Sequence, residues 1–219
     1  ALLSRARLPE TPAAATSRPA RRFAEVAAQP RYRVAVLAGA AGYGVMSLVM
    51  TATPIAMHAC GHGYGDAAFV ISSHVVAMFA PSFVTGHLVR RLGVLPVLLA
   101  GVLLNLGAVG FALSGEGVRE FWWALVLLGV GWNLLYIGGT TMLAETYRPE
   151  ERAAAQGANE LAVFLTQAVA SLASGGIVAG GGWQQVNLGA LPALTAVAVA
   201  VAWLALRERV REPAHARRS

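Results

Sequence analysis

Lysine is absent from this chain, cysteine occurs once, and only 13% of its 219 residues are charged. Without lysine there is no Gly-x-x-x-x-Gly-Lys loop, so the sequence carries no phosphate cradle of the kind that hydrolyses ATP. A lone Cys60 excludes an intrachain disulfide and leaves the redox compartment unread. A soluble domain carries roughly 25% charged residues, so the charge deficit argues against one. The first 33 residues are rich in Arg, Ala and Pro and lack the basic-then-apolar pattern of a signal peptide. They read as a linker, a hint that something precedes them. What is abundant is apolar: 56% of residues, with a mean hydropathy of +0.57. The chain is an integral membrane protein.

Six spans can be drawn: Val34–Met57, Ala67–Val89, Val94–Leu113, Phe121–Ala144, Gln156–Ala179 and Val186–Leu206. Each is 20–24 residues long, enough to cross a hydrocarbon core of about 30 Å. The fold class is therefore an all-α bundle over residues 34–206, between a linker (1–33) and an Arg-rich tail (207–219). The Gly180-Gly181-Gly182 run predicts a helix stop and an outer loop over 180–185. Sixteen of the seventeen arginines fall in segments that alternate onto one side, and only Arg119 lies on the other. The positive-inside rule then puts both termini in the cytoplasm. The same distribution explains the net charge of +6 without nucleic acid as a partner.

Glycine and serine along the first, fourth and fifth spans predict close helix packing. Pro54, Pro81 and Pro192 lie inside spans and predict kinks. Polar residues within spans each call for a partner or a function. Ser72, Ser73 and His74 lie on the second span, Asn105 on the third, Asn133 and Tyr136 on the fourth, and Asn159, Glu160 and Gln167 on the fifth. Asn133 and Tyr136 are i, i+3 neighbours and can line one cavity together. Gln167 follows Glu160 by seven residues, again on one face. The alternative for any single Asn or Gln is interhelical hydrogen bonding.

His58, Cys60 and His62, with His74 on the next span, form a His-x-Cys-x-His pattern that offers metal ligands. The spacing is tighter than in ordinary zinc motifs. A pH-responsive or solute-contacting role for His58 or His74 is the preferred reading. No cofactor is called for. An intramembrane serine protease would need a nucleophile beside a histidine. Ser174 sits in Leu-Ala-Ser-Gly, without the Gly-x-Ser-Gly setting of rhomboid-type enzymes.

Two inner loops carry a family resemblance. Gly86-His-Leu-Val-Arg-Arg-Leu-Gly93 resembles the major facilitator signature that follows the second helix of each six-helix half. Gly86, Leu88, Arg91 and Gly93 match, whereas Arg90 stands where that pattern has an acidic residue. Glu145-Thr-Tyr-Arg-Pro-Glu-Glu-Arg-Ala-Ala-Ala-Gln-Gly157 resembles the segment between a half's fourth and fifth helices. The resemblance covers roughly residues 30–206. It implies helices seven to twelve of a twelve-helix carrier, with an N-terminal six-helix half as partner and the solute site between the halves. By analogy the first, second, fourth and fifth spans face the central cavity. His74, Asn133, Tyr136 and Gln167 then fall on cavity helices, and Asn105 drops out.

The same resemblance suggests a cytoplasmic gate in which Arg90 or Arg91 pairs with Glu145, with Arg152 and Glu160 as further partners. The expected function is secondary transport in the inner membrane: proton-coupled export of a small, amphipathic solute, with His74 or Glu160 as the proton site. The expectation is thus a transporter and not an enzyme. A six-helix scaffold that moves nothing is the alternative.

Overall fold

A computed structural model describes residues 20–216, with side chains to residue 210. Arg5, Arg7, Arg18, Arg211, Arg217 and Arg218 of the expected linker and tail lie outside these descriptions. The described chain is helical: α1 (Phe23–Ala27), α2 (Pro30–Ala59), α3 (Tyr64–Phe79), α4 (Ser82–Leu92), α5 (Val94–Ser114), α6 (Val118–Ala144) and α7 (Arg152–Ala216). A short 3-10 turn, Pro149–Glu151, leads into α7.

Local chemistry sets the boundaries. Pro30 opens α2, where its missing N–H costs nothing. This starts the first span one turn before the expected Val34. The Asp66 carboxylate accepts from the Gly63 amide at 3.2 Å and caps α3. Gly93, with φ of +85°, ends α4 and turns the chain directly into α5.

Helices α2, α5 and α6 are each long and apolar enough to cross a membrane. The second expected span is not one straight helix: it is α3 and α4, bent by 41° at Ala80–Pro81. By contrast, helical structure runs on through Pro54 and Pro192. At 65 residues α7 would be about 98 Å long if straight, about three times the hydrocarbon thickness. It breaks at Gly182, whose φ of +69° and ψ of −170° suit glycine. The expected loop at 180–185 thus shrinks to a single non-helical residue.

The two limbs of α7 (152–181 and 183–216) fold back on each other. Ala155 near the start and Val201 and Leu204 near the end share one core cluster with Tyr32, Leu98, Leu135 and Met142. The turn at Trp183 belongs to a second cluster, at the other end, with Met57, Phe121 and Leu125. Counting the bent pair as one span and the two limbs as two gives six crossings. This is an all-α six-helix membrane bundle.

Helices α2 and α6 form its centre, α2 against α7 and α6 against α3 and α5. The α5–α6 crossing depends on absent side chains. A Cβ on Gly131 would collide with Asn105 Nδ2 and sit 2.9 Å from the Gly101 carbonyl oxygen. Large apolar side chains such as Phe83 and Leu172 point outward, 86% and 83% exposed, as a lipid- or partner-facing surface requires.

Candidate functional site: an aromatic and polar face midway along the bundle

An aromatic layer lies near mid-length on α2 and α6. Trp132 and Tyr136, one turn apart on α6, stack with centroids 5.2 Å apart and planes 8° from parallel. Tyr43 of α2 meets both edge-on, at 5.0 and 5.5 Å. Phe79, at the end of α3, approaches Trp132 edge-on at 6.3 Å. Met46 and Met78 pack with the buried Trp132, and Met50 and Tyr43 lie against them. Tyr136 is 37% exposed, and Trp132 is only 4% exposed with no hydrogen-bond partner for its indole Nε1. Tyr136 is the open ring of this layer, held in place by the rings of Tyr43 and Trp132 behind it, and gives a flat π-surface suited to a planar ring.

Polar side chains also reach the surface of α2, α6 and the first limb of α7. Thr51 of α2 and Ser171 of α7 are exposed and lie 3.3 Å apart, hydroxyl to hydroxyl. Thr140, Gln167 and Glu160 are also open or half-open. An exposed polar stripe at that depth does not suit lipid tails; it suits a water-filled path or a partner surface.

The other expected cavity residues are elsewhere. Asn133 does not line a space with Tyr136. It is buried, donates to the Met78 carbonyl and the Ser82 hydroxyl (both 2.7 Å), and accepts from Thr85 at 2.8 Å. The physical reason is the break at Pro81, which lacks an N–H and interrupts the helical ladder. One amide on α6 thereby binds both sides of the α3–α4 bend.

His74 is fully buried, its Nδ1 2.7 Å from the Leu125 carbonyl oxygen and its Nε2 unpartnered. A carbonyl oxygen can only accept, so Nδ1 is the donor, and a proton placed on Nε2 would meet no acceptor among the described residues. Asn105 donates to the Gly101 carbonyl in its own helix. Ser174 donates to the Leu48 carbonyl at 2.8 Å, so its hydroxyl is tied to backbone rather than to a histidine.

The His-x-Cys-x-His pattern does not converge. His58 stacks on Tyr64, 5.7 Å between centroids, whereas His62 Nε2 lies 2.6 Å from the Glu116 carbonyl oxygen. Cys60 donates to the Glu116 carboxylate at 3.5 Å, and burial followed by that carboxylate pushes its thiol pKa up. Among the described residues no three His, Cys, Asp or Glu side chains are placed to hold a metal ion.

At the arginine-rich end the expected pairing changes partner. Glu145 meets Arg31 at 3.2 Å, not Arg90 or Arg91, because Arg31 stands on the adjoining first turn of α2. Arg31 also approaches Glu208 at 3.3 Å, off the hydrogen-bonding direction. Arg90 and Arg91 are exposed at the end of α4 without an acidic partner among the described residues. Arg152 turns to Gln156 at 3.2 Å, and Glu160 to its neighbour Asn159. Gly86 lies within α4, and Gly93 ends it.

Arg21 forms the tightest ion pair, with Nη2 2.7 Å and Nε 2.8 Å from the two oxygens of the buried Glu151. It also donates to the Thr146 carbonyl, which Gln29 shares. The Arg21 side chain, then the Arg148 amide, hold the Glu151 carboxyl well below the usual carboxylate range. Glu151 in turn raises the Arg21 guanidinium.

Sequence reading missed Tyr43, Trp132, Arg21 and Arg31. The available signal for the aromatics was their spacing, two rings one turn apart on a glycine-rich helix.

The profile of the Major Facilitator Superfamily matches residues 35–219. The riboflavin transporter RfnT of Brucella anthropi is 42% identical over 184 residues, covering 84% of this chain and 46% of that protein. Two MFS-type transporters of Bacillus subtilis described as uncharacterized, YdeG and YddS, are 37% and 36% identical. Those matches cover 66% and 62% of this chain, and 34% and 31% of the relatives. The chain thus spans less than half the length of these relatives. No solved structure matches. The six-helix bundle, its matching inner loops and this family match together assign the chain to the Major Facilitator Superfamily.

Proposed function

We propose that this bundle is the C-terminal half of a secondary transporter that carries a small, flat, heteroaromatic solute across the membrane. The observation that carries the reading is the Tyr43–Trp132–Tyr136 layer, open on one side near mid-membrane. The 42% identity to a protein named as a riboflavin transporter supports the same class, because riboflavin bears a planar tricyclic ring and a polar chain. In this reading the ring stacks on the open side of Tyr136, which the buried Trp132 backs from behind. Thr140 and Gln167 are the nearby groups for the polar chain.

An N-terminal six-helix half closes the other side of the path. Arg90 and Arg91, without acidic partners among the described residues, are placed to meet it. The arginine-rich end faces the cytoplasm, supported by the sixteen-to-one arginine bias. The ion pairs of Arg21 and Arg31 then belong to the inner gate. If this half takes the coupling proton, Glu160 is its site, since the carboxylate opens onto the polar face and His74 is sealed.

Uptake of labelled riboflavin into proteoliposomes holding the full-length protein tests the proposal. Saturable uptake that is suppressed by excess unlabelled flavin supports it. Uptake no faster than in protein-free vesicles contradicts it.

A further inference from the structure

A recess of about 460 Å³ lies away from the aromatic face, at the arginine-rich end, between the start of α2 and the end of α7. Its lining includes Arg33, Val34 and Leu37 from α2, and Ala200, Trp203 and Arg207 from α7. We propose that it binds an anionic phospholipid, with the phosphate between the two arginines and an acyl chain along the apolar wall.

The two helices run antiparallel here yet present the same order of groups. On α2, Arg33 stands at the helix end, and Leu37 follows one turn deeper. On α7, Arg207 stands at that same end, with Trp203 one turn deeper. One turn is about 5.4 Å, so both walls set charge outside and apolar surface inside, the polarity of a lipid at a membrane boundary.

Trp203 is half-exposed, and the Arg207 guanidinium lies over its ring, 5.3 Å from the centroid. This is the interfacial position tryptophan favours. Arg33 donates Nε–H to the Ala27 carbonyl at 3.0 Å, which fixes its stem and leaves the terminal nitrogens for a phosphate. Neither arginine meets a carboxylate among the described residues. The neighbouring Glu208 is already opposite Arg31. A free soluble anion would use the arginines but not Leu37, Val34 or Ala200, so the apolar wall favours the lipid.

The test uses the full-length protein in phosphatidylcholine vesicles containing phosphatidylglycerol, with brominated acyl chains on one lipid at a time. The Trp203 signal is isolated by difference from Trp203→Phe. Stronger quenching by brominated phosphatidylglycerol than by brominated phosphatidylcholine at matched mole fraction is the expected result. Arg33→Ala and Arg207→Ala should each cut that preference about fivefold, whereas Arg33→Lys with Arg207→Lys should keep most of it. Equal quenching by both lipids overturns the proposal. So does displacement by millimolar inorganic phosphate, which identifies a soluble-anion site instead.

Discussion

Asn133 and Tyr136 lie three residues apart on one helix and have opposite fates. Asn133 is sealed, with its amide saturated by the α3–α4 bend, while Tyr136 is open and stacked in the aromatic layer. The same division runs through the bundle. His74, Asn105 and Ser174 give hydrogen bonds to backbone carbonyls inside the protein. Tyr43, Thr51, Gln167, Ser171 and Glu160 remain at least partly accessible. A polar residue in a membrane helix therefore has two uses, to satisfy a backbone or to meet a solute. Sequence position alone does not distinguish them.

The largest expected effect falls on the sealed side. Asn133→Leu removes three hydrogen bonds and should destabilise the bundle by about 2 kcal/mol, from interhelical bonds averaging about 0.6 each. Thermal unfolding in detergent measures it, and an unchanged midpoint would remove the clasp from the account. On the open side, Tyr136→Ala should weaken flavin binding roughly tenfold through lost stacking, with a smaller loss of stability than Asn133→Leu. Tyr136→Phe should keep the affinity, since the ring rather than the hydroxyl supplies the surface. If Tyr136→Ala instead lowers stability as much as Asn133→Leu and leaves affinity intact, the division between sealed and open is drawn in the wrong place.

A smaller effect distinguishes the ion pair at the arginine-rich end from the open Glu160. Because Glu151 is held below the usual carboxylate range, its contribution is complete above about pH 4.3. It fades as pH falls through the depressed value. The raised Arg21 value adds no pH dependence below strong alkali. The stability gap between wild type and Glu151→Gln should thus be constant from neutral pH down to about pH 5 and narrow below. A gap that persists unchanged at the lowest pH would mean a non-ionic cause. Smallest of all, Arg91→Ala should alter unfolding by no more than about 0.5 kcal/mol. In transport assays it should change turnover more than solute affinity; unchanged turnover would remove Arg91 from the gate.

Much of the architecture is legible in the sequence because bilayer thickness constrains length. The apolar runs between 34 and 206 correspond to crossings, and the two inner-loop motifs anticipate the family match. Side-chain fate was less legible because it depends on which neighbouring backbone is broken. The Pro81 bend leaves a carbonyl that Asn133 covers, so a residue that reads as cavity-lining becomes a fastener. The gate pairing was misplaced for a related reason. Arg31 lay in a stretch read as linker, yet it is on the first turn of α2 and reaches Glu145. Tyr43 and Trp132 belong to no motif of their own in the sequence, and helix packing is what brings their rings together.

Cysteine accessibility tests the sealed-versus-open division most directly. Single cysteines at Thr140, Gln167 and Asn105 are placed in the full-length protein freed of other cysteines, Cys60→Ser included. They are then treated with a membrane-impermeant thiol reagent, with and without riboflavin. The account predicts that positions 140 and 167 react and are protected by riboflavin, while position 105 stays unreactive. Reaction at 105 comparable to that at 140 and 167, or no protection at the open positions, would contradict it.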